Sequence, residues 1–149
     1  DRFLMRLRIG YPEEVDEKRV LYAQQVQHPI QTIRPVITAS DVLRIQQDVR
    51  NVRVDDTISD YILAIVNRTR GHEQLEVGVS PRGSLSLFRA SQSLAYVEGR
   101  DYVIPDDVKR LAVPVLAHRT ICKGLIHENS ALFTEELIET VIHSVPVPV

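Results

Sequence analysis

Apolar residues recur at helical spacing along most of this chain. The cleanest case is Ile58, Tyr61, Ile62, Ile65, Val66 and Thr69, one stripe preceded by Asp55-Asp56 and closed by Gly71, which predicts a buried-face helix. An earlier stripe opens at Ser40-Asp41 and repeats Val42, Ile45, Val49 and Val52, narrow enough for a helix packed on one partner. Glu13 to Gln27 is acid-started and carries Val15, Tyr22 and Val26, a less regular pattern that His28-Pro29 stops. From Pro81 to Glu98, Ser84, Ser86, Ala90, Ser91, Ser93 and Ala95 lie among Leu85, Leu87, Phe88, Leu94 and Val97. Such a helix lets several neighbours approach closely, and Gly99 closes it. Pro105-Asp106-Asp107 starts another, with Val108, Leu111, Ala112, Val115 and Leu116 on one side and Pro114 predicting a kink near 110–113. The last helix is expected over 135–144, after Thr134, with Leu137, Ile138, Val141, Ile142 and Val145 inward and an extended, frayed tail beyond.

Two kinds of strand signal interrupt the helices. Phe3, Met5, Leu7 and Ile9 alternate with Leu4, Arg6 and Arg8, as in a strand of a larger sheet whose other strands are not in these residues. Short extended pieces at 75–79, 102–104 and 120–126 could pair into a small ribbon. The fold class expected is therefore mainly α: a bundle of five or six helices carrying an N-terminal strand left over from a missing neighbour.

Composition narrows the function more by exclusion than by assertion. With 18 Lys+Arg against 20 Asp+Glu and a net charge of −2, the chain lacks the basic excess of a dedicated nucleic-acid binder. Arg34, Arg44, Arg50, Arg53, Arg68 and Arg70 could touch phosphates, but acids are interleaved and no helix shows a continuous basic face. The single cysteine, Cys122, reads as a buried apolar filler and points to a reducing, cytoplasmic setting. No two of the five histidines stand four apart, so a metal site is not expected, and no apolar run is long enough for a membrane span. The start, Asp1-Arg2-Phe3-Leu4, reads as cut from something longer.

No phosphate loop, nucleophile elbow or zinc-protease motif is present. The tandem acids Glu13-Glu14, Asp55-Asp56, Asp106-Asp107 and Glu135-Glu136 all read as first-turn charges that complement helix dipoles rather than acid–base pairs. Against that pattern the helix at Ser80-Pro81-Arg82-Gly83 stands out. Ser80 suits the N-cap and Pro81 the first helical position, yet the first turn holds a cation. An arginine there is unfavourable unless an anion joins it, so Arg82 marks a candidate phosphate site.

Several of these pieces, taken in order, resemble the C-terminal part of the MoxR family of AAA+ ATPases. They are Asp1-Arg2-Phe3-Leu4-Met5-Arg6, Gly10-Tyr11-Pro12, Gly78-Val79-Ser80-Pro81-Arg82-Gly83-Ser84-Leu85, Gly99-Arg100-Asp101-Tyr102-Val103-Ile104-Pro105-Asp106-Asp107-Val108, His118-Arg119 and Val145-Pro146-Val147-Pro148. The resemblance implies that residues 1–12 are the last strand and hinge of an incomplete nucleotide-binding core, 13–145 the helical AAA+ lid and 146–149 an extended tail. It also implies that Arg2 is similar to the arginine finger that reaches a neighbouring subunit's γ-phosphate, and that Arg82 matches the sensor 2 arginine. Tyr11 and Pro12 fall at the core-to-lid hinge near the adenine; Arg119 receives no role. ATP and Mg²⁺ would belong to the full-length parent and not be retained by these residues alone. The parent would be a homo-oligomeric, hexameric ring that remodels or activates partner proteins, among them ones bearing von Willebrand factor A domains. The competing expectation is a freestanding helical protein-interaction module without nucleotide binding, which would leave the orphan strand unexplained.

Overall fold

The computed structural model describes residues 2–25, 28–124 and 130–148, so Val26, Gln27, Leu125 and Ile126 of the expected elements lie outside the described residues. Six α-helices and one two-stranded antiparallel ribbon occur among the described residues. They fall into two compact units, Asp1–Arg6 with Gln46–Val149, and Leu7–Ile45.

The smaller unit holds α1 (Glu14–Ala23), a 3-10 turn at Pro29–Thr32 and the first half of α2 (Ala39–Asn51). Glu14, Asp16 and Glu17 fill the first turn of α1, where free N–H groups favour negative charge. The start of α2 is set by Thr38, one residue before the helix. Asp41 accepts from the Thr38 N–H at 3.0 Å while the Thr38 hydroxyl accepts from the Asp41 N–H at 3.2 Å, a reciprocal cap that displaces the expected start at Ser40-Asp41. No described residue of this unit is buried.

The larger unit carries the core. In α3 (Asp56–Arg70) the buried residues are Ile58, Tyr61, Ile62, Ile65, Val66 and Thr69, the stripe read from the spacing, and Asp55 caps it by accepting from the Thr57 N–H at 3.1 Å. The helix α4 (Pro81–Val97) buries Gly83, Leu87, Ala90, Ser91, Gln92 and Ala95, and packs most extensively on α5 (Pro105–Leu116). Small side chains on α4 allow that close approach. The α5 helix continues through Pro114 and tightens into a 3-10 turn at Ala117–Arg119. Against both lies α6 (Ser130–His143), with Leu137, Ile138, Val141 and Ile142 buried. The ribbon pairs β1 (Leu75–Val77) with β2 (Ile121–Cys122), and Cys122 is buried with its Sγ 3.3 Å from the Thr134 hydroxyl.

Four sequence expectations are corrected. Phe3 to Ile9 is not strand, because a strand needs a paired backbone neighbour and, among the described residues, this stretch makes a single backbone–backbone bond, from the Arg6 N–H to the Pro114 carbonyl at 2.8 Å. The last helix begins at Ser130, so Thr134 is a buried residue within it rather than its cap. Glu135-Glu136 therefore does not open a helix; Glu135 instead accepts from Arg6 at 2.7 Å. The tail does not fray at once, since Val145 is buried and Pro148 is half-buried in a hollow with Ile58, Tyr102 and Pro105.

The turn into α5 depends on one buried carboxylate. Asp107 accepts from both terminal nitrogens of Arg100, at 2.8 and 2.6 Å, and from the Ile104 N–H at 2.9 Å. The bidentate carboxylate holds the Arg100 pKa far above the ordinary arginine value. Replacing Asp107 by Ala leaves the Ile104 amide without its acceptor and Arg100 with only Glu98 and the Tyr102 carbonyl, so urea unfolding should register a loss of about 1–3 kcal/mol. A loss under about 1 kcal/mol would contradict the buried-pair account.

Candidate functional site

The N-terminus of α4 is held from behind by the last turn of α3. The buried Thr69 hydroxyl donates to the Val66 carbonyl at 2.6 Å and accepts from the Val79 N–H at 3.0 Å, while Arg70 Nε donates to the Val79 carbonyl at 2.8 Å. Both polar groups of Val79 are thus fixed by consecutive residues of α3. Gly78 lies so close to that helix that a Cβ would come within 2.6 Å of the Arg70 Cα. Gly83 is equally constrained: a Cβ there would meet Val79 Cγ1 at 2.4 Å. Glycine at both positions is a packing requirement, since Val79 is itself 1% exposed and has nowhere to move.

On this anchored turn Ser80 takes the N-cap position, accepting from the Gly83 N–H through both its carbonyl at 2.8 Å and its hydroxyl at 3.4 Å. Pro81 has no N–H to offer, and the Ser84 amide is also bound to the Ser80 carbonyl. The helix amides are therefore largely occupied, and an anion would be met chiefly by the side chain of Arg82. That side chain is exposed, and among the described residues it makes no hydrogen bond or ion pair. Its first turn is less singular than the sequence suggests, because α6 also lacks first-turn acids.

Arg2 lies in the same compact unit, likewise exposed and without a partner among the described residues. The chain that follows it is well held. Arg119 Nη2 donates to the Phe3 and Leu4 carbonyls at 2.5 and 3.2 Å, and its Nε donates to the Val115 carbonyl at 2.8 Å. His118 Nε2 sits 3.2 Å from the same Phe3 carbonyl. Burial pushes the Arg119 pKa below the ordinary arginine value, and carbonyl contacts compensate the desolvated charge. The other two candidates, Tyr11 and Pro12, belong to the smaller unit, where Gly10 adopts φ +71° and Tyr11 is fully exposed. Thr69, Arg70 and Arg119 are the site residues that sequence reading missed. Each acts on a backbone group distant in the chain, which leaves no periodic trace.

With this geometry in view, the family model described as AAA lid domain matches residues 67–141, from the end of α3 to α6. The chain belongs to the AAA lid family. It is similar to the "Uncharacterized protein YeaC" of Bacillus subtilis, 43% identical over all of this chain and 46% of that protein. It is also similar to "Chaperone MoxR1" of Mycobacterium tuberculosis, 36% identical over 99% of this lid chain and 41% of the relative. A crystal structure of a candidate ATPase from Cytophaga hutchinsonii superposes with a TM-score of 0.84 at 27% identity, covering 99% of this chain and 47% of the other. The lid chain thus spans about half the length of the relatives it matches.

No helix among the described residues is long and apolar enough to cross a membrane. The anchoring of the α4 turn makes a direct prediction. Thr69→Val keeps the shape but leaves the buried Val79 N–H without an acceptor, so the unfolding free energy should fall by about 1–3 kcal/mol in urea titration. A neutral result would mean the hydroxyl does not hold that turn.

Proposed function

We propose that this chain is the nucleotide-sensing lid of a MoxR-type AAA+ ATPase, in which Arg82 acts as sensor 2 toward the γ-phosphate of ATP held by the same polypeptide. Arg2 acts in trans as the arginine finger, reaching the nucleotide of a neighbouring subunit in a homo-oligomeric, hexameric ring. Tyr11 and Pro12 form the hinge beside the adenine. The observation that supports this most is the free guanidinium of Arg82 on a turn whose backbone is fixed by Thr69 and Arg70. A cation held at the positive end of a helix, with no carboxylate of its own, has its charge left over for an anion. Open approach and a planar donor fork fit a phosphoryl group better than a spherical ion.

ATP with Mg²⁺, when bound by the parent protein, supplies the phosphoanhydride bond that is cleaved. Arg82 and Arg2 then neutralise charge spread over the γ-phosphate oxygens and orient them, which is most of what protein groups contribute to phosphoryl transfer. Because Arg82 is rigidly joined to α3 and α4, loss of its phosphate contact releases the whole bundle rather than one side chain. Hydrolysis is thereby converted into lid rotation, which remodels or activates cytoplasmic partner proteins, including ones with von Willebrand factor A domains. Nothing in the bundle points instead to a freestanding interaction module.

Residues 1–149 by themselves should show no ATP turnover above background in a phosphate-release assay, and turnover by the pure chain would contradict the division of labour. In a full-length protein carrying this chain, Arg82→Ala and Arg2→Ala should each cripple hydrolysis, the finger variant by about 10³–10⁵-fold, with an unchanged circular dichroism spectrum. Wild-type turnover in either variant removes that residue's role.

A further inference from the structure

Arg119 touches the surroundings of both phosphate-reading arginines. Its guanidinium spans two backbone segments: Nε on the Val115 carbonyl in the last turn of α5, and Nη2 on the carbonyls of Phe3 and Leu4. A cation at a helix C-terminus is electrostatically favoured there, which settles the near end of the side chain. Its aliphatic stem runs along α4, where Arg119 Cδ lies 3.5 Å from the position a Gly83 Cβ would occupy. His118 adds a contact to the Phe3 carbonyl, and the Arg6 N–H bond to Pro114 secures the segment two residues further on. The backbone leaving Arg2 is thus bound to the end of α5 by a side chain that also leans on the turn carrying Arg82.

We propose that Arg119 is a positioning residue that fixes the backbone after Arg2 against the first turn of α4, so that the finger's reach toward one nucleotide depends on the lid's placement over another. This rests on the roles assigned above to Arg2 and Arg82. Lysine cannot reproduce the arrangement, because one ammonium lacks the fork that serves Val115 and the Phe3–Leu4 carbonyls at once. A finger displaced by about an ångström loses rate while the nucleotide still binds.

The test uses the full-length protein carrying R119K, R2A or both, with single-turnover hydrolysis of radiolabelled ATP so that low rates are resolved, and amide hydrogen exchange at residues 3–6. R119K should accelerate exchange at Arg6, whose N–H is held by the Pro114 carbonyl, and lower kcat by about 10- to 100-fold while the KM for ATP stays within about twofold. The double variant should be no slower than R2A alone, since Arg119 acts through Arg2. His118→Ala should shift exchange and rate in the same direction by less. Unchanged exchange in R119K overturns the clamp. Faster exchange with wild-type kcat, or losses that multiply in the double variant, overturns its positioning role. Wild-type turnover in R2A would show separately that the finger assignment has failed, and the exchange data would still report on the clamp.

Discussion

Close packing where α3 hands over to α4 is the constraint on which the rest of this structure depends. Gly78 and Gly83 leave no room for a methyl group, and Val79 between them has its amide and carbonyl bound by Thr69 and Arg70. The direction in which Arg82 leaves the helix is therefore decided by the core, not by the side chain's own preferences. A guanidinium on a loose turn would have to be ordered at the moment of binding, at a cost in entropy that this turn has already met during folding.

The same economy of backbone contacts recurs at the other polar points of the bundle. Asp107 serves Arg100 and Ile104 together, Gln92 donates to the Val52 carbonyl at 2.7 Å, and Arg119 serves three carbonyls. Gln92 and Arg119 end on main-chain groups of other segments, while Asp107 ties the start of its own helix to Arg100. Such bonds are costly to break singly because they leave a desolvated partner behind, so they make the elements move together. A bundle tied this way suits the lid rotation proposed above.

How much of this could be read from the residues depends on what kind of signal each feature leaves. The stripes of α3 and α6 were legible because one face is buried and the spacing repeats it, and Cys122 behaved as the small filler its isolation suggested. Thr38 was missed because Ser40-Asp41 offers an equally good cap two residues later, and Thr134 was taken for a cap because its acids follow directly. The strand over 3–9 was patterned correctly for a sheet, but pairing is a property of neighbours that these residues do not supply. Arg82 was found through its helix start, whereas the absence of first-turn acids in α6 makes that signal weaker than it looked. What distinguishes Arg82 is a free charge on a fixed backbone, and the residues that fix it are invisible to periodicity.

The most direct measurement is a structure of the full-length protein with a non-hydrolysable ATP analogue and Mg²⁺. A terminal nitrogen of Arg82 is predicted within about 2.7–3.1 Å of a γ-phosphate oxygen, with the Val79 contacts to Thr69 and Arg70 intact. A γ-phosphate bound in the same subunit while Arg82 remains in solvent would contradict the account at its centre.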